Sequence, residues 1–318
     1  MVLNLYVVGY TLTINKLICK RNKTKKMKNF KYIILFISII TFQISTAQQD
    51  PNFTLYNFNM SIINPAYSGS NEFKQLNLGY RSQWIGVADA PNTQVLTYTT
   101  PLKNNLGFGI SIVRDQVFVL QETDITVDVS YKLKVAETYD VYFGLKGGGS
   151  IINIDLTRAN NGGNDPLFGQ NQSFINAQFG AGALLKHEDF YISISTPNFL
   201  NGRRYVKQGN APNAAVDKLH MYYGGGYYYD VSEELTLSPA IMIRSTSGAP
   251  TSTDVNLTAD YNNIKAGVNY RVGEMYSVFG MFNIFDNLRF GMAYDFIASD
   301  LNQINDNGSM EMMIRYQF

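Results

Sequence analysis

A chain of 318 residues with 26 Lys and Arg against 25 Asp and Glu carries a formal charge of +1, has one cysteine, and is 45% hydrophobic at a mean hydropathy of −0.12. That hydropathy is too low for a bundle of membrane helices, and a lone thiol builds no disulfide framework. The bases are unevenly placed: eight of them and no acid precede Gln48, leaving 18 bases against 25 acids, a formal charge of −7, from Gln48 onward. Such a balance argues against nucleic acid as a partner, since phosphate binding needs a basic face.

The N-terminus reads as an export signal. Met27-Lys28-Asn29-Phe30-Lys31 is a basic n-region, Tyr32 to Ile44 an apolar run, and Ser45-Thr46-Ala47 a small-residue cleavage site, so the mature chain is expected to begin at Gln48. The run is too short for a membrane span, which needs about 20 residues. Residues 1–26 precede a complete signal that already begins with Met, and are read as an upstream extension. The only cysteine, Cys19, lies there. Residues 27–47 are then the signal peptide, 48–74 a periplasmic N-terminal segment, and 75–318 the body of the protein.

From residue 75 onward the hydrophobicity alternates. Thr123, Ile125, Val127, Val129, Tyr131 and Leu133 oppose Asp124, Thr126, Asp128, Ser130 and Lys132; Leu288, Phe290, Met292, Tyr294 and Phe296 oppose Arg289, Gly291, Ala293 and Asp295. The same period-2 pattern runs through 255–261 and 264–271. Strands are predicted near 75–83, 93–101, 106–114, 123–134, 140–153, 173–186, 189–196, 219–229, 234–244, 253–260, 263–272, 275–284, 287–297 and 309–318. Every second connection is short (102–105, 187–188, 230–233, 262, 285–286), whereas 154–172 and 197–218 are long. About 14 strands with connections of alternating length, rich in Tyr and Phe, predict an all-β fold: an antiparallel barrel of the bacterial outer membrane with a polar interior and both barrel termini in the periplasm. A β-sandwich would share the alternation, but not the export signal or the last strand. That strand places Met310, Met312, Ile314, Tyr316 and Phe318 on one face and ends on the aromatic, which resembles the C-terminal assembly signal of outer-membrane barrels.

No residues point to catalysis. Gly147-Gly148-Gly149 and Gly224-Gly225-Gly226 lie in strand patterns without a following helix, so they are not phosphate loops. Asp124, Asp128 and Lys132 form a polar lumen stripe. His187 and His220 are not tied to a nucleophile or to a carboxylate cluster, so neither a triad nor a metal site is indicated, and no cofactor is expected.

Several motifs resemble the PorP/SprF family of type IX secretion outer-membrane proteins. They are Gln49-Asp50-Pro51-Asn52-Phe53 with Asn57, Asn64-Pro65-Ala66-Tyr67-Ser68-Gly69, Arg81-Ser82-Gln83-Trp84-Ile85-Gly86, Ala90-Pro91-Asn92-Thr93, Ser195-Thr196-Pro197-Asn198, Gly267-Val268-Asn269-Tyr270-Arg271, and Gly308-Ser309 with Glu311. The likeness spans essentially the whole chain after the signal. Asp89, Met310 and Gln116-Val117-Phe118 depart from the family's usual residues. What the resemblance implies is a non-enzymatic protein dedicated to particular secreted surface proteins or adhesins. Their C-terminal domains pass through the type IX translocon, periplasmic lipoprotein components take part, and some members support gliding motility. A diffusion channel for small or hydrophobic solutes, using the polar lumen, is the alternative.

Candidate residues follow from that frame. Asn64, Pro65, Tyr67 and Gly69 most simply bend the chain from the periplasmic segment into the first strand, the other reading being a docking site for a periplasmic partner. Arg81, Gln83 and Trp84, with Pro91, are placed at the outer end of the first strand. There Trp84 is either an interfacial girdle residue or a partner anchor. Phe168 in the loop 154–172, and Arg203, Arg204 and Tyr205 in the loop 197–218, are further partner contacts. Glu311 and Phe318 are expected to be structural, and outer-membrane lipid is the surrounding solvent.

Overall fold

A computed structural model describes residues 53–158, 171–200, 218–262, 264–298 and 307–318. Three short 3₁₀ turns, η1 (Leu55–Phe58), η2 (Met60–Ile62) and η3 (Pro65–Tyr67), precede the strands. The strands are β1 (Gln75–Ser82), β2 (Asn92–Pro101), β3 (Leu106–Val117), β4 (Leu120–Lys134), β5 (Asp140–Ile154), β6 (Gln172–Lys186), β7 (Phe190–Thr196), β8 (His220–Tyr227), β9 (Tyr229–Asp230), β10 (Leu235–Thr246), β11 (Ser252–Tyr261), β12 (Ile264–Arg271), β13 (Met275–Phe285), β14 (Leu288–Ile297) and β15 (Ser309–Gln317).

Each strand pairs antiparallel with its sequence neighbour, and β1 pairs with β15, so the sheet closes. Pieces β8 and β9 pair with β10 in one continuous register, Gly226 opposite Ala240 and Tyr229 opposite Leu237. The break between them faces the part of β10 that holds Pro239, which has no N–H for a ladder. They are one barrel strand, and the barrel has 14. All 14 predicted segments appear. The stretch 115–122, expected as a loop, instead extends the β3–β4 ladder until Val117 faces Leu120. Phe118 takes φ +53° to close the two-residue turn, and the Thr93 hydroxyl donates to Asp115 Oδ1 at 2.6 Å, which keeps the inward row polar beyond Val113.

The alternation sorts the two faces as required by lipid outside and a lumen inside. Leu78, Tyr80, Leu96, Ile125, Val127, Val129, Leu145, Val255, Leu257, Val278 and Ile314 are exposed on the outer face. Asn77, Arg81, Thr97, Asp128, Lys146, Asp254, Asn256, Arg271, Asp295, Glu311 and Arg315 are buried inside. One rim carries the start of β1 and the end of β15, and we call it the terminal rim. Among the described residues its connections are 102–105, 135–139, 187–189, 231–234, 262 and 286–287, whereas 83–91 and the ends of β5, β6, β7, β8, β14 and β15 that border 155–171, 197–219 and 298–308 lie at the opposite rim.

The segment expected in the periplasm does not lie there. Residues 53–70 run through the lumen, entering near the opposite rim and leaving at the terminal rim to begin β1. Leu55, Ala66 and Ser68 are fully buried, and Asn64 nearly so. The physical reason is a set of apolar side chains on the inward face. Phe279, Met281, Ala293 and Met313 enclose Leu55; Val95, Tyr222 and Met242 pack on Phe53, Tyr56 and Met60; Tyr142 and Leu184 pack on Ala66. An inward wall of that kind would be poorly solvated if the lumen held only water.

Candidate functional site: a plugged lumen and its rims

Three anchors hold the luminal segment. The first lies toward the opposite rim. Arg81 Nη2 is 2.6 Å from Asp295 Oδ2 and its Nη1 is 3.1 Å from Glu311 Oε2, all three side chains being buried. The Thr54 N–H donates to Glu311 Oε2 at 2.7 Å and the Thr54 hydroxyl to Asp295 Oδ1 at 2.7 Å. Cross-strand registry brings Arg81 opposite Glu311, so the wall builds the cluster and the segment completes its hydrogen bonds. Arg81 is therefore corrected from a rim contact to a luminal one: odd-numbered residues of β1 face inward, and a guanidinium there needs carboxylates.

The second anchor is the Asn64-Pro65-Ala66-Tyr67-Ser68-Gly69 turn. Asn64 Oδ1 accepts from the Ala66 N–H at 2.9 Å and Pro65 opens the 3₁₀ turn, so the cap and the fixed φ make a rigid corner. Asn64 Nδ2 donates to the carbonyls of Ala183 and Ile194 at 3.2 and 3.4 Å. This corner sits against Gly144 and Gly182, which are direct register partners on β5 and β6. A Cβ on Gly144 would lie 2.3 Å from the Ala66 nitrogen, and one on Gly182 2.0 Å from Asn64 Oδ1. Glycine is required there by close approach. The turn bends the chain inside the barrel.

The third anchor holds Ser61 and Ser68, on either side of the corner. Lys146 Nζ lies 3.1 Å from Asp128 Oδ1 and donates to the Ser61 carbonyl at 3.2 Å, while the Ser68 hydroxyl donates to Asp128 Oδ2 at 2.8 Å and Ser130 donates to the Ser68 carbonyl. In the middle, Asn59 Oδ1 accepts from Thr97 and Asn77 at 3.0 and 3.3 Å.

The segment divides the lumen. On its opposite-rim side is a cavity of about 130 Å³ with Phe53, Tyr56, Ile62, Met242, Asp124 and His220 in its lining. On its terminal side is one of about 310 Å³. The opposite rim also carries a cleft of about 250 Å³ lined by Gln83, Trp84, Val87, Asp89, Phe118 and Arg158. Trp84 is 39% exposed with φ +48°, a conformation that a bulky residue rarely adopts. The turn around it holds the ring out: Trp84 N–H donates to the Ser309 hydroxyl at 3.4 Å, Ile85 N–H to the Gly308 carbonyl at 3.1 Å and Val87 N–H to the Trp84 carbonyl at 3.0 Å. Gln83 N–H donates to the carbonyl of Pro91, whose ring is buried beneath. Asp89 pairs with Arg158.

The structure thus brings Gln83, Trp84 and Pro91 together at one rim and separates Arg81 from them. It adds Phe118, 46% exposed, which sequence reasoning did not single out. Phe168, Arg203, Arg204 and Tyr205 lie outside the described residues. Phe318 is exposed on the outer face, its N–H donating to the Lys74 carbonyl at 3.0 Å and its ring edge-on to Tyr98 and Tyr316. His187 stacks on Phe190 and meets Tyr139 at a tilt at the terminal rim.

A family model of the type IX secretion system membrane protein PorP/SprF matches residues 45–316. The chain belongs to that family. Of the motifs that carried the resemblance, residues 64–69, Arg81 and Glu311 take part in the anchors, and residues 83–86 with Gly308 and Ser309 form the Trp84 turn. Among solved structures, the monoaromatic hydrocarbon channel CymD is similar at 12% identity and a TM-score of 0.51, over 81% of this chain and 92% of that one. The Ralstonia pickettii toluene transporter TbuX matches at 10% identity and 0.48, over 81% and 92%, and a Pseudomonas aeruginosa FadL homologue at 12% and 0.41, over 86% and 95%. The CymD likeness establishes the barrel fold alone. No curated protein matches the chain. Family and fold together make this a secretion or transport protein of the outer membrane, associated with the type IX machinery.

Proposed function

We propose that the protein is a non-enzymatic receiver of type IX secreted cargo: it holds the C-terminal domain of a secreted surface protein or adhesin at the cell surface, and in that role serves adhesion or gliding. The terminal rim is periplasmic in this reading, facing translocon and lipoprotein components, and the Trp84 rim is external. The observation that carries it is the filled lumen. A barrel whose interior is occupied by its own segment, anchored at both ends and in the middle, has its rims left for recognition. The same observation weighs against a diffusion channel.

The exposed Trp84 and Phe118 beside the Asp89–Arg158 pair have the composition of an interface hot spot. Arg203, Arg204 and Tyr205 of the loop 197–218, and Phe168 of 154–172, belong to the same rim by sequence and would add steering and contact. The test is retention of a candidate cargo domain, encoded beside this gene, on the purified barrel. Trp84→Ala should speed its dissociation. Arg203→Glu with Arg204→Glu should slow association, most at low salt, where charge acts over a longer range. A parent barrel that retains no such domain removes the reading; assembled variants that retain it as the parent does remove these residues from it.

A further inference from the structure

Of the described arginines on the inward face, three have carboxylate partners and two do not. Arg81 has Asp295 at 2.6 Å, Arg244 has Asp254 at 2.6 Å, and Arg271 has Asp254 at 2.8 Å. Arg289 and Arg315 have, among the described residues, no carboxylate partner. They are direct register partners on β14 and β15 and both face the lumen, so two like charges stand opposite each other, an arrangement that opposes folding. Arg315 is 8% exposed, and its Nε donates to Asn77 Oδ1 at 2.9 Å. Arg289 Nε is buried with no hydrogen-bond partner. Their other cross-strand neighbours are Asn77 on β1 and Asn283 on β13, neutral amides that leave both charges uncompensated.

The pair faces the cavity of about 310 Å³ on the terminal side of the plug. Lys186 and Lys265 also line it; Lys186 donates to the Ser70 carbonyl at 3.3 Å and Lys265 is paired with Asp260. Hydroxyls of Ser70 and Thr258 are in the lining, and no carboxylate is. An arginine pair bordering a cavity whose lining supplies donors and no acid is the inverse of an oxyanion.

We propose that Arg289 and Arg315 form a binding site for a phosphate-class oxyanion. Two guanidinium forks from adjacent strands meet a tetrahedral dianion from one side. The anion comes from water, either free phosphate or a soluble phosphorylated species, because β14 pairs with β13 and β15, and β15 with β1, so no unpaired strand edge opens to the bilayer beside the two arginines. Occupancy would relieve the like-charge contact and tie the wall to the segment at Ser70. The site is independent of the cargo reading, since it lies on the other side of the plug from Trp84.

The test uses the full barrel, purified in a non-ionic detergent without phosphate. Equilibrium dialysis against radiolabelled inorganic phosphate should show saturable binding at about one site per barrel. In parallel, the temperature at which the folded gel form converts to the unfolded one should rise with phosphate, and less with acetate at matched ionic strength. Arg289→Gln and Arg315→Gln should each remove the phosphate-dependent rise, and Arg289→Gln should be no less heat-stable than the parent in phosphate-free buffer because it removes a repulsion. Absence of saturable binding by the parent overturns the proposal without reference to any variant. So does an equal rise with acetate, or an undiminished rise in the assembled double variant. Retention of phospholipid on the parent that is lost in the double variant, with no binding of free phosphate, would overturn the assignment to a water-borne anion.

Discussion

Gly144→Ala combined with Gly182→Ala should eject the plug while leaving the barrel intact. The two glycines face each other across β5 and β6, and each new methyl would sit 2.3 Å or less from an atom of the Asn64–Ala66 corner, against an ordinary contact distance of about 3.4–4 Å. The corner must then withdraw by more than an ångström, and it is held by the same strands that would push it. Overpacking of this kind costs about 1–3 kcal/mol per site, so the pair shifts the docked equilibrium by about 2–6 kcal/mol. Both methyls press on one corner, so the effects do not simply add; a rise in the undocked fraction of roughly 10²- to 10³-fold is the expectation, at tenfold per 1.4 kcal/mol. The assay is single-channel recording in planar bilayers. The parent should be nearly silent, whereas the double variant should show frequent opening, since 14 strands enclose a lumen wide enough for ions once it is empty. Gly147→Ala is the control: it lies on the same strand, and its methyl meets only the Phe179 ring at 3.8 Å. A correctly assembled double variant as silent as this control would refute the account of how the lumen is closed.

Arg81→Met leaves Asp295 and Glu311 buried without a counter-charge, a loss of about 3–5 kcal/mol; the gel-conversion temperature of the folded form should fall and bilayer openings should increase, and an unchanged temperature would contradict the anchor. Arg81→Lys should restore only part of this, because a point charge cannot serve both carboxylates as a planar fork does. The mature chain is expected to lack cysteine, so Val87→Cys and Glu72→Cys report orientation: an impermeant maleimide added to whole cells should label the first and spare the second, and the reverse would invert the assignment of the rims. Phe318→Ala should lower the assembled fraction in the outer membrane while leaving any barrel that does assemble with the parent's conversion temperature. Equal assembled yields would separate this residue from the assembly signal it resembles.

The barrel was legible because lipid imposes a rule on every outward position. In 123–133 and 288–296 the apolar row had to face the bilayer, and the pairing register then followed from the short connections at one rim. The β3–β4 extension was not legible, since 115–122 breaks the outward apolar row above the membrane, where no solvent rule enforces it. Arg81 was misplaced for a related reason. The first strand was extended to residue 83 and its end read as a surface, whereas parity along β1 sets Arg81 with Asn77 on the luminal side. The plug left a signal that was present but unread: Met313, Met281, Phe279, Leu184 and Tyr142 occupy inward positions where a water-filled lumen would favour polar side chains. Their partner lies far away in sequence, and residues 53–70 carry no periodicity that announces it. The Arg289–Arg315 pairing needed register, which sequence alternation alone does not supply.

The plug's construction bears on what it does. A lid that opens for a ligand is held at one place and hinged at another; here the cluster at Thr54, the middle contacts of Asn59 and the corner at Asn64–Ser68 are separate, and each would have to be broken. The segment is also joined to β1 through only residues 71–74, which keeps its end beside its site and favours re-docking after any partial release. A partner engaging Trp84 lies away from the corner at Asn64 and from Asp128, and its nearest link to the plug is the Trp84–Ser309 hydrogen bond, two residues from Glu311 of the Thr54 cluster. It shifts the docked equilibrium only as far as it binds the docked and undocked states differently. With two of the three holding points remote from the rim, recognition there is expected to leave the lumen closed, which would suit a barrel that retains a cargo domain while the membrane stays sealed beneath it. Simultaneous measurement of cargo retention and conductance tests the point: bound cargo domain should leave the parent silent, and openings that appear only with cargo bound would show that rim and plug communicate after all.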